Sequence, residues 1–355
     1  MRAIKITLSA LVILMVMSCE THYRMVTKFE QNGKVYREVY AHKYMADSSI
    51  NPFIFPYISS GWLATLFASP VKYNFFGEET EFNIRVWKMS NSIEQYSQEI
   101  QCDEEMQSFV APKESLVKKN RWFYTYYSFN AVFKHLKYEA PVPISNYLKE
   151  EEQIFWTRGD KYLNGYETTS YARQIEHKFM NWYYRNVFEI SYESIKKRTT
   201  GYDLNADKEE IYEIYRNTYT DICLGEESRT TSEQICTVLD SFYKTRYFSQ
   251  LYKTHKEILD EEFQKSTSVV AHIGNIISYE LIIPAKVLQT DAPIIHSDTL
   301  IWKVDGMRLL FDDYTLTAEY RVANTWAFVI TGLIVVIAIG SVVILVNRNR
   351  RFRLG

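Results

Sequence analysis

The stretch WAFVITGLIVVIAIGSVVILV, Trp326 to Val346, contains no charged residue. As a helix rising 1.5 Å per residue it covers about 30 Å, the thickness of a bilayer's hydrocarbon core. Trp326 stands at one edge, where an indole favours the membrane interface. Arg348, Arg350, Arg351 and Arg353 follow the other edge. Clustered arginines beside a span stay on the cytoplasmic side. The length of the run and its one-sided basic flank argue against a buried core helix. The expectation is a membrane helix over 323–347 and a basic cytoplasmic tail over 348–355. Everything upstream then lies outside the cytoplasm. By analogy, a spanning helix goes with the inner membrane of a two-membrane cell, as a single pass.

The other end agrees with that orientation. Arg2 and Lys5 open the chain, and Ile6 to Met17 is apolar apart from Thr7 and Ser9. That run is too short to span a bilayer, which takes about 20 residues, and suits the apolar region of an export signal over 1–18. Val16-Met17-Ser18-Cys19 resembles the lipobox of bacterial lipoproteins, in which the cysteine is acylated (with palmitate or a similar chain) and becomes the mature N-terminus. An ordinary cleavage after Ser18 is the alternative, because Val16 and Ser18 also suit a small-residue cleavage site. With a lipid at Cys19 and a helix at the other end, both termini of the body are expected near one membrane face. Membrane lipid is then a partner of both ends.

The chain has 41 basic and 43 acidic residues. Six of the basic ones, Arg2, Lys5 and the four tail arginines, lie in the signal and tail, where no acidic residue occurs. The body between is therefore net acidic, which disfavours nucleic acid as a partner. Besides Cys19 there are Cys102, Cys223 and Cys236. Cys223 and Cys236 sit on successive helical patterns. They either form a bridge, contributing about 3 kcal/mol, or remain buried thiols. Their spacings match no zinc pattern.

Along the body the pattern predicts an α+β fold. A β-rich region covers 19–144. Gln31-Asn32-Gly33-Lys34 between Met25–Phe29 and Val35–Tyr40 signals a hairpin. Val71–Phe76 and Thr80–Met89 flank Gly77 as a second. Ser92 to Met106 reads as a helix, with Ser92 and Gln95 as a capping box. RWFYTYYSFN, Arg121 to Asn130, reads as a strand covered on both faces. A helical region follows over 145–266. Ser145 is expected to cap its first helix. Thr168 or Thr169 opens a long one with Ile175, Phe179 and Trp182 on one stripe. Ile211, Ile214, Tyr215, Thr218 and Ile222 mark another, ended by Gly225. Thr230 with Glu233 opens the next, with Ile235, Val238, Leu239 and Phe242 inward. Leu251 to Phe263 continues helical. Over 267–322 the β period returns, with strands at Ile276–Val287, Thr299–Val304 and Tyr314–Val322. The N-terminal and membrane-proximal strands are expected to share an antiparallel sheet.

The segment YELIIPAKVLQTDAPIIHSDTLIWKV, followed by LTAEYRV and a membrane helix, resembles the membrane-proximal part of LppM-type bacterial lipoproteins. Pro284, Lys286, Val287, Thr290, Trp302, Ala318 and Glu319 carry the likeness. Ala285 stands where the family has glycine, and Asp291-Ala292-Pro293 replaces its turn. The likeness covers the two ends and leaves the middle unmatched. It implies an α+β body whose first and last strands share a sheet, and it transfers no functional residue.

No hydrolase elbow, phosphate loop, dinucleotide fingerprint or zincin motif occurs. His177 follows Glu176 on a helix with no second ligand four residues on. Asp203, Asn205 and Asp207 occupy positions 1, 3 and 5 of a calcium loop, but Lys208 and Ile214 stand where glycine and a bidentate glutamate belong. The fragment therefore reads as a helix cap, and no metal or cofactor is expected. The central span has no ionisable residue, which argues against transport. The function expected is that of a non-enzymatic envelope lipoprotein that binds or scaffolds a protein partner. The alternatives are a carrier of lipid or another apolar ligand and a cell-envelope hydrolase. A glycan-binding variant of the first would expose Trp62, Trp122 or Trp156.

Overall fold

The strands on either side of Asn32-Gly33 pair. β1 (Thr21–Phe29) and β2 (Val35–Ala41) run antiparallel with Phe29 opposite Val35. Glu30 N donates to Lys34 O at 2.8 Å and closes the loop. The computed structural model describes residues 21–30, 34–42, 53–76, 78–102, 104–157, 170–219, 231–267 and 272–352. Alternation places Met25, Thr27 and Phe29, with Val35, Arg37 and Val39, on one buried face.

The second hairpin is longer than its sequence signal. β3 (Leu63–Phe75) and β4 (Glu78–Ser90) pair from Leu63 opposite Trp87 to Phe75 opposite Glu78, with a register shift between Leu66 and Val71. Pro70 falls inside that shift, where a missing N–H costs no ladder bond. β4 also pairs with β2. β7 (Asn275–Ile282), β9 (Ile294–His296) and β10 (Thr299–Asp305) complete a seven-stranded sheet in the order β3-β4-β2-β1-β7-β10-β9. A second, four-stranded sheet has the order β5-β6-β11-β8, from β5 (Lys113–Asn120), β6 (Tyr124–Phe133), β8 (Lys286–Thr290) and β11 (Tyr314–Ala323).

The fold is α+β, and β1, β2, β7 and β10 do share a sheet. Two details differ from expectation. The β1–β7 pair is parallel, which is available to strands separated by a long insertion and denied to a hairpin. The last strand, β11, lies in the other sheet. The predicted strand Ile276–Val287 breaks at Pro284, which has no N–H for the ladder. Beyond it the chain crosses to the second sheet as β8, and Asp291-Ala292-Pro293 returns it to the first as β9. Asp291 ties the crossing together: its Oδ1 accepts from Trp302 Nε1 at 2.9 Å in one sheet and from Thr317 N at 2.8 Å in the other.

The sheets face each other across an aromatic core. Phe29 meets Phe129 and Tyr320, and Tyr279 meets Phe129, Phe133 and Trp302. Short helices α1 (Phe55–Ser59), α2 (Glu94–Glu99) and α3 (Glu104–Val110) line the flanks. The helix predicted over Ser92–Met106 is thus two, because Ile100 is extended with ψ 121°. Gln95 reaches back to Asn91 N at 3.2 Å, rather than boxing Ser92.

Between β6 and β7 comes the helical region: α4 (Glu150–Thr157), α5 (Ser170–Lys196), α6 (Lys208–Tyr219), α7 (Thr231–Tyr243) and α8 (Tyr247–Thr267). Ser145 lies within a 3-10 turn, Ile144–Asn146, instead of capping a helix. Ile175, Phe179 and Trp182 on α5, and Ile235, Val238 and Leu239 on α7, are buried as the periodicity requires. Thr168, Thr169, Ile222, Gly225 and Thr230 lie outside the described residues. Trp182 Nε1 donates to Val142 O at 2.8 Å and Val142 N donates to Asn186 Oδ1 at 2.8 Å, so α5 is tied to the chain that enters the region. A one-turn α9 (Gly306–Leu309) follows β10, and α10 (Thr325–Phe352) follows β11. Gly306 packs on the His272 backbone, where a Cβ would meet the carbonyl oxygen at 2.2 Å.

The two sheets run in the same sense. Phe29, at the end of β1, lies against Tyr320 near the end of β11. Thr21 pairs with Asn275 where the chain returns from the helices, and Phe133 pairs with Tyr314 where β6 leaves for them. The helical region and Thr21 therefore occupy one end of the sandwich, and α10 leaves from the opposite end.

Candidate membrane-facing site at the root of the apolar helix

One buried charge cluster is structural. Arg37 and Glu114 form a bidentate pair between the sheets, at 2.7 and 2.5 Å, with side chains 1% and 0% exposed. Thr27 Oγ1 accepts from Arg37 Nε at 3.0 Å, and Tyr279 OH donates to Glu114 Oε1 at 2.5 Å. The guanidinium also lies 4.6 Å from the Tyr96 ring centroid. Burial, then the Glu114 charge, pushes the Tyr279 phenol well above its ordinary range. Each group answers another, and none faces solvent. On the opposite face of the first sheet, Arg24 grips Glu280 at 2.7 and 2.8 Å and Tyr73 donates to the same carboxylate. Burial and Glu280 push Tyr73 up to about 12. Among the described residues no group of three or more His, Cys, Asp and Glu side chains is placed to hold a metal ion.

The arrangement that opens outward lies where β11 becomes α10. Asn324 sits between them. Its backbone oxygen accepts from Ala327 N at 2.9 Å, starting the helix. Its N–H donates to Phe123 O at 2.8 Å, and its Nδ2 donates to Arg121 O at 2.7 Å and Trp122 O at 3.1 Å. Thr125 Oγ1 donates to its Oδ1 at 2.9 Å. One side chain thus locks the β5–β6 turn to the first turn of the helix.

The turn then runs alongside the helix. Trp122 Nε1 donates to Thr331 Oγ1 at 2.9 Å, and the Trp122 ring meets Trp326 edge-on at 5.3 Å. Phe328 receives Phe123 at 4.8 Å and Tyr124 at 5.8 Å. Trp122 and Trp326 remain 51% and 52% exposed. Indoles with an apolar body and one polar handle suit the boundary between water and lipid. The helix itself has one stretch long and apolar enough to cross a membrane, Thr325–Leu345, with mean hydropathy 3.0; beyond Thr331 its residues to Leu345 are exposed.

The other residues singled out by sequence are dispersed. Trp62 and Trp156 are buried, so of the three tryptophans only Trp122 is open, and it is engaged with α10. The strand expected over Arg121–Asn130 begins at Tyr124; Arg121 N donates to Tyr124 O and the preceding residues form the turn. Asp203 Oδ1 accepts from Asn205 N at 3.1 Å, and Asp207 Oδ2 accepts from Tyr243 OH at 2.8 Å. That turn precedes α6. Cys236 is a buried thiol on α7, pushed up to about 12 by burial and then by Asp240 and Glu233. Cys19, Cys223 and Arg353 lie outside the described residues. Arg348, Arg350 and Arg351 continue the backbone of α10. Sequence reading missed Asn324 and the pairing of Trp122 with the helix. The signal was present: a turn carrying a cation and two aromatics, Arg121-Trp122-Phe123, and a second tryptophan at the mouth of the span.

No family model matches the chain, and no curated protein matches it. Among solved structures it is similar to the folded domain of LppM from Mycobacterium tuberculosis, determined by NMR. Identity is 8%, the match covers 86% of this chain and 91% of that one, and the TM-score is 0.28. A superposition that loose carries no argument about the site.

Proposed function

We propose that this chain is a membrane-mounted envelope protein whose body lies outside the cytoplasm and serves as a non-enzymatic binding or scaffold module. In this reading a signal over 1–18 is removed, Cys19 carries the lipid, the helix crosses the inner membrane once, and Arg348 to Arg353 remain in the cytoplasm. The observation that carries it is the Asn324 joint. Four hydrogen bonds between Asn324 and Arg121, Trp122, Phe123 and Thr125 fix the sandwich to the start of the apolar helix, so the helical region is held out from the membrane at the opposite end. The charged groups buried in the sandwich tie strands together instead of converging on a cleft, which favours binding over hydrolysis. The aromatic strands that suggested an apolar ligand pack against one another between the sheets, which favours a scaffold over a carrier.

The helical end is where a protein partner is expected. Ile258 on α8 is 48% exposed there. A photo-cross-linking residue at Ile258 in cells expressing the full chain should give a discrete adduct with an envelope protein. Adducts absent at Ile258 and at its exposed neighbours Lys253 and Glu257, with the protein at normal level, would contradict the scaffold reading.

A further inference from the structure

The turn between β5 and β6 does more than brace α10. Thr331 lies six residues inside the apolar stretch, about 9 Å along the helix. The Trp122 indole is hydrogen-bonded to it at 2.9 Å. If Thr325–Leu345 is in a bilayer, the turn is there too. Its apolar exposure agrees: Phe123 is 37% and Trp122 51% exposed.

A row of cations stands just above. Lys119 pairs with Tyr126, Tyr126 with Arg321, and Arg321 with Lys286. Directly paired residues project from the same side of a sheet, so Lys119, Arg321 and Lys286 line one face across all four strands of the second sheet. Arg321 also lies 4.4 Å from the Tyr124 ring and Arg121 5.5 Å from the Tyr126 ring. Among the residues of these four strands, the acid on that face beside this row is Glu319, two residues farther from the helix. The net acidic body thus presents a local basic band four residues before the apolar helix begins, at headgroup height.

We propose that the β5–β6 turn is a second membrane foothold, with Trp122 and Phe123 among the acyl chains and Lys119, Arg321 and Lys286, helped by Arg121, binding the phosphates of anionic lipid. This rests on the reading of α10 as a membrane span. Aromatic insertion sets the depth, and the cations select headgroup charge, because basic side chains within a Debye length of an anionic surface are drawn to it. Together with α10 the turn gives two points of contact, which fixes how the sandwich is rotated about the helix axis.

The test uses the full chain, its native cysteines replaced by alanine, in vesicles of phosphatidylcholine with phosphatidylglycerol. Nitroxides are placed singly at Phe123, at Ile337 in the span and at Ile258 on the helical end. The expected result is oxygen accessibility at Phe123 approaching that of Ile337, with Ile258 in water. A Phe123 label as water-accessible as Ile258, with Ile337 in lipid, overturns the foothold and leaves the span intact. An Ile337 label in water overturns both. For the headgroup, spin-labelled phosphatidylglycerol should be immobilised in excess over spin-labelled phosphatidylcholine by the unlabelled protein. K119Q/K286Q/R321Q, all surface changes, should abolish that excess. An unchanged excess would show that the basic band does not select anionic lipid.

Discussion

Arg37 and Glu114 show how one ion pair can be indispensable without being favourable. Taking both charges out of water costs several kcal/mol per ion, and the pair with its hydrogen bonds to Thr27 and Tyr279 roughly offsets that. Removing one partner strands the other. Glu114→Gln in the full chain in detergent micelles is therefore expected to cost about 3–5 kcal/mol. The double change Arg37→Met with Glu114→Leu is expected to recover most of it. Thermal unfolding checks this; a Glu114→Gln protein as stable as the parent would deny the pair its role. Cys236 gives a second residue-scale outcome. Its thiol is 1% exposed and pushed up to about 12. Alkylation at neutral pH should leave Cys236 unmodified in the native protein and modify it fully after unfolding, as read by peptide mass. Neither residue's environment is legible in sequence: Arg37 alternates correctly for a buried position, yet its partner lies on another sheet 77 residues away.

At the scale of elements, local signals were reliable and pairings were not. Asn32-Gly33 and the alternation around it specify β1 and β2 because both turn geometry and the buried face are set within a dozen residues. The stripes of α5 and α7 are equally local. The sheet to which β8 or β11 belongs depends on contacts across the whole chain, and Pro284 indicates only that a ladder ends. RWFYTYYSFN looked uniformly buried because aromatic composition does not say where a turn falls; Arg121 to Phe123 leave the strand to meet α10. Asn324 is the element-scale pivot. Asn324→Ala removes its side-chain bonds to Arg121, Trp122 and Thr125, each worth about 1 kcal/mol. The β5–β6 turn should then exchange its amide hydrogens at least tenfold faster, while the core strands β1 and β7 are unaffected. Equal exchange in the turn would remove Asn324 from its place as the clamp.

For the whole molecule, the strand directions revise the expectation that both termini meet one membrane face. β1 spans about 27 Å, and Phe29 stands level with Tyr320, five residues before the helix, so Thr21 lies roughly 30–40 Å from the mouth of the span. Two residues of chain back to Cys19 recover at most about 7 Å. In the proposed arrangement the start of β1 therefore stands well away from the membrane face that the helix enters. Membrane retention falls to the helix alone, and Cys19→Ala is expected to leave the full-length chain in the membrane fraction after carbonate washing; its release would return the anchoring task to the lipid. The span was legible because composition and length alone decide it, whereas the distance between the ends depends on strand direction. The central claim is that α10 crosses the bilayer with the body outside. Single cysteines at Ile258 and in the tail at Arg350, in a chain otherwise free of cysteine, can be exposed to a membrane-impermeant maleimide on intact spheroplasts. The account predicts labelling at 258 in intact cells and at 350 only after permeabilisation. Labelling of both, of neither, or in the reverse order in intact cells would contradict it.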